Sequence, residues 1–193
     1  ARRGELTSDR RRERLGPHAR SDAVSARAPF GLPSQGALPI VARSDAALAL
    51  WQPRLDLNLG VAVRSAEAAG LAEVLLVGRA ELLSSRARGT ERVLEVRHLA
   101  DAEALVRDTR LRGRQLVAIQ QTPASESFDQ IEWPDRPVFV AGAEDDGLPA
   151  LLRREADVVV EIPMWGVIDS LNVACAVTTV LMTWRAAMAR QAR

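Results

Sequence analysis

Three short stretches combine residue types and spacings that suit chemistry. In "EIPMWGVIDSLNVACAV" (residues 161 to 177), Ser170 and Asn172 stand one residue apart at the mouth of an apolar run, just after Pro163 and Met164. Neither side chain helps a helix interior; both favour caps and local hydrogen bonds. In "NLGVAVRSAEAAG" (58 to 70), Asn58 precedes Arg64, whose guanidinium can take a phosphate in a bidentate fork. In "FVAGAEDDGLP" (139 to 149), Glu144 and two aspartates lie between Gly142 and Gly147. Adjacent carboxylates could hold Mg²⁺. An acidic loop before a helix also favours the helix N-terminus without any metal.

Several common chemistries lack support. No G-x-G-x-x-G string occurs, and a P-loop is excluded because the chain contains no Lys. A G-x-S-x-G elbow is missing as well. Cys175 is the one cysteine, so it makes neither an internal disulfide nor a metal cluster, and its place in an apolar helix predicts a small core residue. His18 and His98 are too far apart for metal-ligand spacing. No metal is expected.

These stretches need a scaffold, and 193 residues suffice for one domain with a full core. The composition, 47% hydrophobic and 26% charged, is that of a globular protein, and net charge is only +1. No apolar run reaches the roughly 18 residues of a membrane span. The first residues, "ARRGELTSDRRRERLG", lack the apolar segment of a secretory signal, so a cytoplasmic protein is expected. Residues 1 to 36 read as a flexible Arg-rich arm, either a solvated tail or a contact for RNA phosphates.

Residues 37 to 193 alternate between apolar strands and helices. Strands are predicted at 47–51, 72–78, 92–99, 115–121, 136–142 and 157–163. Helices are predicted at 59–70, 101–113 with Asp101 as cap, 148–155, and from Ser170 to Arg190. Val61, Ala62, Ala66 and Ala69 line one face of the first helix, and Gly70 ends it. Non-alternating strands separated by helices predict an α/β fold, a mainly parallel sheet covered by helices on both faces. Ligands of such sheets sit at the carboxyl ends of the strands, where the loops 58–64, 142–147 and 162–172 fall.

In order and spacing, the three quoted stretches resemble the signature motifs of the SpoU/TrmH family of RNA ribose 2'-O-methyltransferases, within the SPOUT class. The stretch "AIQQTPASESF" also resembles a segment common among members. The resemblance implies a SPOUT fold with a C-terminal deep trefoil knot, S-adenosylmethionine as cofactor, RNA (tRNA or rRNA) as substrate, and a homodimer whose active sites lie near the subunit seam.

Carried over by motif, Arg64 holds the phosphate beside the target ribose and helps activate the hydroxyl; without the motif it would read as a surface arginine. Asn58 ties its loop to the neighbouring loops or to substrate, and it would also serve as a helix N-cap. Glu144 holds Arg64 or its own loop, with a helix-capping carboxylate as the plain alternative. Ser170 and Asn172 shape the knot and the pocket. By the same carry-over the cofactor is bound by Gln120, which ends a strand at the rim, Ala141, Gly142, which lets the backbone approach closely, and Ile162, Met164 and Leu171, which contact it largely through backbone groups. For Met164 and Leu171 a core role competes. Trp165 either stacks on a base or covers the dimer seam. The chain departs from the family pattern at "RLDLN" (54–58), at Ala174 and at Cys175.

Overall fold

Strands of this chain are near-continuous Val, Leu and Ala runs, and such runs are stable only when both faces are covered. The computed structural model describes residues 43–54, 56–78, 90, 93–143 and 146–191; the expected arm at 1–36 and Glu144 lie outside the described residues. In chain order the elements are β1 (Ser44–Trp51), α1 (Asp56–Ala68), β2 (Leu71–Val77), β3 (Glu95–Leu99) and α2 (Ala102–Leu111). They continue with β4 (Gln115–Ile119), β5 (Glu126–Ser127), β6 (Pro137–Ala141), α3 (Ala150–Glu155), β7 (Val158–Glu161) and α4 (Val173–Gln191).

The seven strands form one sheet in the order β3-β2-β1-β6-β4-β7-β5. Every pairing is parallel. Alternate residues of each strand point to opposite faces, so one core splits into two. Leu48 and Leu50 of β1, Val74 and Leu76 of β2 and Phe139 of β6 pack with α1 and α4. Ala47, Ala49, Leu75, Val138 and Val140 pack with Leu105 of α2 and Leu152 of α3. Each fully buried Leu or Phe is worth about 1.5–3 kcal/mol. Phe139 also meets Trp133 and Trp184 edge-on, at centroid distances of 5.8 and 5.4 Å, fastening α4 to the sheet centre.

The predicted sheet with helices on both faces is thus present, with three differences. α4 begins at Val173, not Ser170, because Asn172 caps it. β5, two residues on the sheet edge, carries too short a pattern to be read from sequence. Cys175 is exposed, not a core residue. The buried stripe of α4 runs through Ala174, Val177, Leu181 and Trp184, and Cys175 lies about 100° off that stripe. α1 ends at Ala68, and Gly70, the expected stop signal, follows in the turn at φ +73°. Val61 is only half-buried, while Ala62, Ala66 and Ala69 are buried.

The amino ends of the central strands carry an ion-pair network. Glu73, 2% exposed, accepts hydrogen bonds from Arg114 and from Arg97, the latter at 3.0 Å. Arg114 also donates to Asp45 at 2.6 Å, and Arg97 grips Asp108 with two bonds of 2.6 and 3.1 Å. Arg114 foremost, helped by Arg136, holds the Asp45 carboxyl below the usual carboxylate range, against the opposing effect of burial. Arg97 does the same for Asp108. This network lies at the end of the sheet remote from the motif loops.

Candidate active site

The carboxyl ends of β4, β6 and β7 are neighbours in the sheet, so the loops that leave them meet. Together with the start of α1 they enclose a cleft of about 480 Å³. Gln120, Ala141, Gly142, Ile162, Met164 and Leu171 all line it. So do Asn58, Ser170 and Asn172. Sequence reading missed Glu161 and Asp169, which also line the cleft. The position of Glu161 at the end of an apolar strand was the available signal.

Gly142 is dictated by backbone crowding. A Cβ there would sit 2.2 Å from the carbonyl carbon of Gly147 and 2.6 Å from the nitrogen of Leu148. The Gly147 N–H donates to the Ala143 carbonyl at 3.0 Å, and Gly147 itself has φ +63°. The loop therefore doubles back on its own first residue, and glycine serves both ends of that return. The Gln120 side chain then accepts from the Leu148 N–H at 3.2 Å, tying the end of β4 to this loop.

The "QQTPASESF" stretch has a comparable local logic. Ser125 N–H donates to the Thr122 carbonyl at 3.1 Å, and Thr122 N–H donates to the Ser125 hydroxyl oxygen at 3.0 Å. The same hydroxyl lies 2.6 Å from Glu161, so this turn holds a cleft carboxylate in place.

Asn172 connects the first and third motifs. Its side-chain oxygen accepts from the N–H groups of Ala174 and Cys175 at 2.9 and 3.3 Å, and its carbonyl accepts from Ala176. That is a full N-cap for α4. With the oxygen so used, the amide nitrogen is the outward donor, and it reaches the Asn58 side-chain oxygen at 3.0 Å. Asn58 is 7% exposed within the first turn of α1, so it is not that helix's N-cap. It serves as the acceptor that docks the third motif. Arg54 and Asp146 pair at 2.6 Å, linking the loop after β1 to the second motif.

Arg64 is not brought into the cleft of the single chain. It follows Asn58 by six residues, about 240° around the helix, and is exposed where Asn58 is buried. Beside the cleft, Trp165 is 92% exposed, and Val167 and Ile168 continue an apolar surface. Among the described residues no cluster of His, Cys, Asp or Glu could hold a metal ion. Nor is any helix among them long and apolar enough to cross a membrane.

With this geometry in hand, similarity to known proteins is informative. Residues 45–182 match the profile of the SpoU rRNA Methylase family. The chain is 31% identical over 134 residues to the mouse tRNA (guanosine(18)-2'-O)-methyltransferase TARBP1, covering 66% of this chain and 8% of that protein. It is 27% identical over 133 residues to the 23S rRNA (guanosine-2'-O-)-methyltransferase RlmB of Neisseria meningitidis, covering 66% of this chain and 53% of the relative. A crystal structure of an AdoMet-bound rRNA methyltransferase from Sinorhizobium meliloti superimposes with a TM-score of 0.69 at 32% identity, covering 74% of this chain and 56% of that one. The chain belongs to the SpoU rRNA methylase family, and one cleft is lined by residues from all three of its motifs, although the first of them, expected as a loop at 58–64, is part of helix α1 and gives the cleft only Asn58.

Proposed function

We propose that this chain is an S-adenosylmethionine-dependent methyltransferase acting on a ribose 2'-hydroxyl of structured RNA, with tRNA favoured over rRNA. The convergence of Gln120, Gly142, Ile162, Met164 and Leu171 on one cleft carries the reading. Its volume of about 480 Å³ lies within the ~300–1,000 Å³ of small-molecule sites. Strand-end backbone and apolar Ile162, Met164 and Leu171 suit an adenine. Two acidic residues in its lining, Glu161 and Asp169, suit a ligand bearing positive charge. When bound, the cofactor supplies an electrophilic methyl group on a sulfonium.

The residues of this chain supply position and charge. Asn172 and Asn58 lock the cofactor loop to α1, so the walls are set before substrate arrives. Such positioning is worth on the order of 7–11 kcal/mol in well-oriented reactions. Arg64 acts as a clamp on the phosphate next to the target ribose, and the hydroxyl proton passes to phosphate or water. Glu144, Ser170 and Asn172 complete the motif set. The chain works as a homodimer in the cytoplasm, with a second copy covering the surface of Trp165, Val167 and Ile168. The arm at 1–36 adds phosphate contacts.

The tRNA preference rests on "QQTPASESF" and "GVIDSLNV", which resemble tRNA guanosine-methylating enzymes. The alternative is an RNA-binding or assembly protein that kept the fold without turnover. Mass spectrometry of ribose-methylated nucleosides in tRNA and rRNA, incubated with the protein and cofactor, decides between them. A new 2'-O-methyl nucleoside in tRNA is expected, and Arg64→Ala abolishes it while leaving cofactor affinity nearly unchanged. No new methylation in either RNA overturns the enzyme reading; methylation by Arg64→Ala at the wild-type rate removes Arg64 from the mechanism.

A further inference from the structure

α1 carries two motif residues, so whatever fixes its rotation fixes where they point. Its contact with α4 contains small residues, Ala62 and Ala66, in one cluster with Val177, Val180 and Leu181. Methyl-sized knobs give shallow ridges, and shallow ridges set helix rotation weakly. Polar contacts between the two helices compensate for this. One is the Asn58–Asn172 bond already described. The other joins Ser65, 7% exposed, to Thr178, whose hydroxyl oxygens are 2.7 Å apart.

Asn58 and Ser65 are seven residues apart, on one stripe of α1 and about 10 Å along its axis. Their partners Asn172 and Thr178 follow in the same direction, so the helices run parallel and are pinned at two heights. Each hydroxyl of the upper clasp also lies close to its own helix carbonyl. Ser65 reaches the Val61 carbonyl at 3.0 Å and Thr178 that of Ala174 at 2.7 Å. Two hydroxyl protons thus serve three contacts in a partly buried setting, where geometry is demanding.

We infer that the Ser65–Thr178 hydroxyl clasp is a positioning pair for methyl transfer, holding α1 at the rotation that presents the adjacent Arg64 to the substrate phosphate. The inference rests on the methyltransferase reading above. Ser65 and Thr178 are not among the residues that line the cleft. Their effect is transmitted by α1, for which a displacement of about 1 Å at a reacting group can cost on the order of 10²-fold in rate.

The test compares the wild-type protein with Ser65→Ala, Thr178→Val, the double variant and Thr178→Ser. A single truncation leaves one hydroxyl without its cross-helix partner, whereas removing both restores stability. The double variant is therefore expected to melt near the wild-type temperature and bind S-adenosylmethionine normally. Its kcat nevertheless falls at least tenfold, and amide exchange in residues 59–66 quickens. Thr178→Ser keeps the hydroxyl and keeps kcat. Wild-type kcat with unchanged exchange in the double variant overturns the clasp, as does activity that merely follows melting temperature across the series. A wild-type protein that methylates no RNA defeats the methyltransferase reading instead, and the exchange of α1 then decides by itself whether the clasp holds the helix.

Discussion

Replacing Gly142 by alanine asks whether the second motif loop can tolerate a single added methyl. The new Cβ would lie 2.2, 2.5 and 2.6 Å from the Gly147 carbonyl carbon, its oxygen and the Leu148 nitrogen. All three are backbone atoms, so no flexible side chain can swing aside. The loop has to open by about an ångström, which strains the Gly147–Ala143 hydrogen bond and the Leu148–Gln120 bond at its far side. Overpacking of this kind costs about 1–3 kcal/mol. For a protein of this size that is roughly 2–12 °C in melting temperature, at about 2–4 °C per kcal/mol. Because the same loop forms a wall of the cleft, cofactor affinity should fall by tenfold or more, alongside the loss of stability. Thermal denaturation and calorimetric titration with S-adenosylmethionine measure both. Gly142→Ala with an unshifted melting temperature and unchanged affinity would refute the backbone-crowding account of this loop.

Other expectations follow from the same contacts. Asn172→Ala removes a helix cap and the donor to Asn58, for a loss of about 2 kcal/mol seen in denaturant melts. Asn172→Asp regains part of that stability, since a carboxylate is favoured at a helix N-terminus, yet it cannot donate to Asn58 and stays inactive; full activity in it would count against the docking role. Asp45 and Asp108 have carboxyl pKa values depressed by Arg114 and Arg97 respectively. Their stabilisation is complete above the ordinary carboxylate pKa and is lost as pH falls through the lower folded values. Acid unfolding monitored by circular dichroism should therefore steepen below about pH 4, and Asp45→Asn should flatten that dependence. Ile168→Asp, in the exposed apolar loop, should turn a dimer into a monomer by light scattering; a wild-type monomer at micromolar concentration would remove the second copy from the account.

How much of this was legible beforehand follows from the range of the forces involved. Strand and helix positions were readable because apolar runs, Gly70 and the Asp101 cap are local signals; Asp101 does accept from the Ala104 N–H at 2.8 Å. The start of α4 was misplaced because Ser170 and Asn172 are both good caps, and only the fold decides which one reaches the helix N–H groups. Gly142 was expected to bring backbone close to the cofactor, and the fold adds a second demand for glycine there, the backbone of Gly147 met on the loop's return path. The pairing of Asn58 with Asn172 spans 114 residues, and that of Ser65 with Thr178 spans 113. No periodicity encodes such pairs. The motif resemblance brought the right loops together; the hydrogen bonds that join them required coordinates. Arg64 shows the opposite limit, since the motif marks it as functional while a single chain leaves it on the outside of α1.

The most direct test is a crystal structure of the protein grown with saturating S-adenosylmethionine. The cofactor should lie against the ends of β4, β6 and β7, bounded by Gly142, Ile162 and Leu171. Density for it at any other place on the chain, with that cleft empty, would contradict the account.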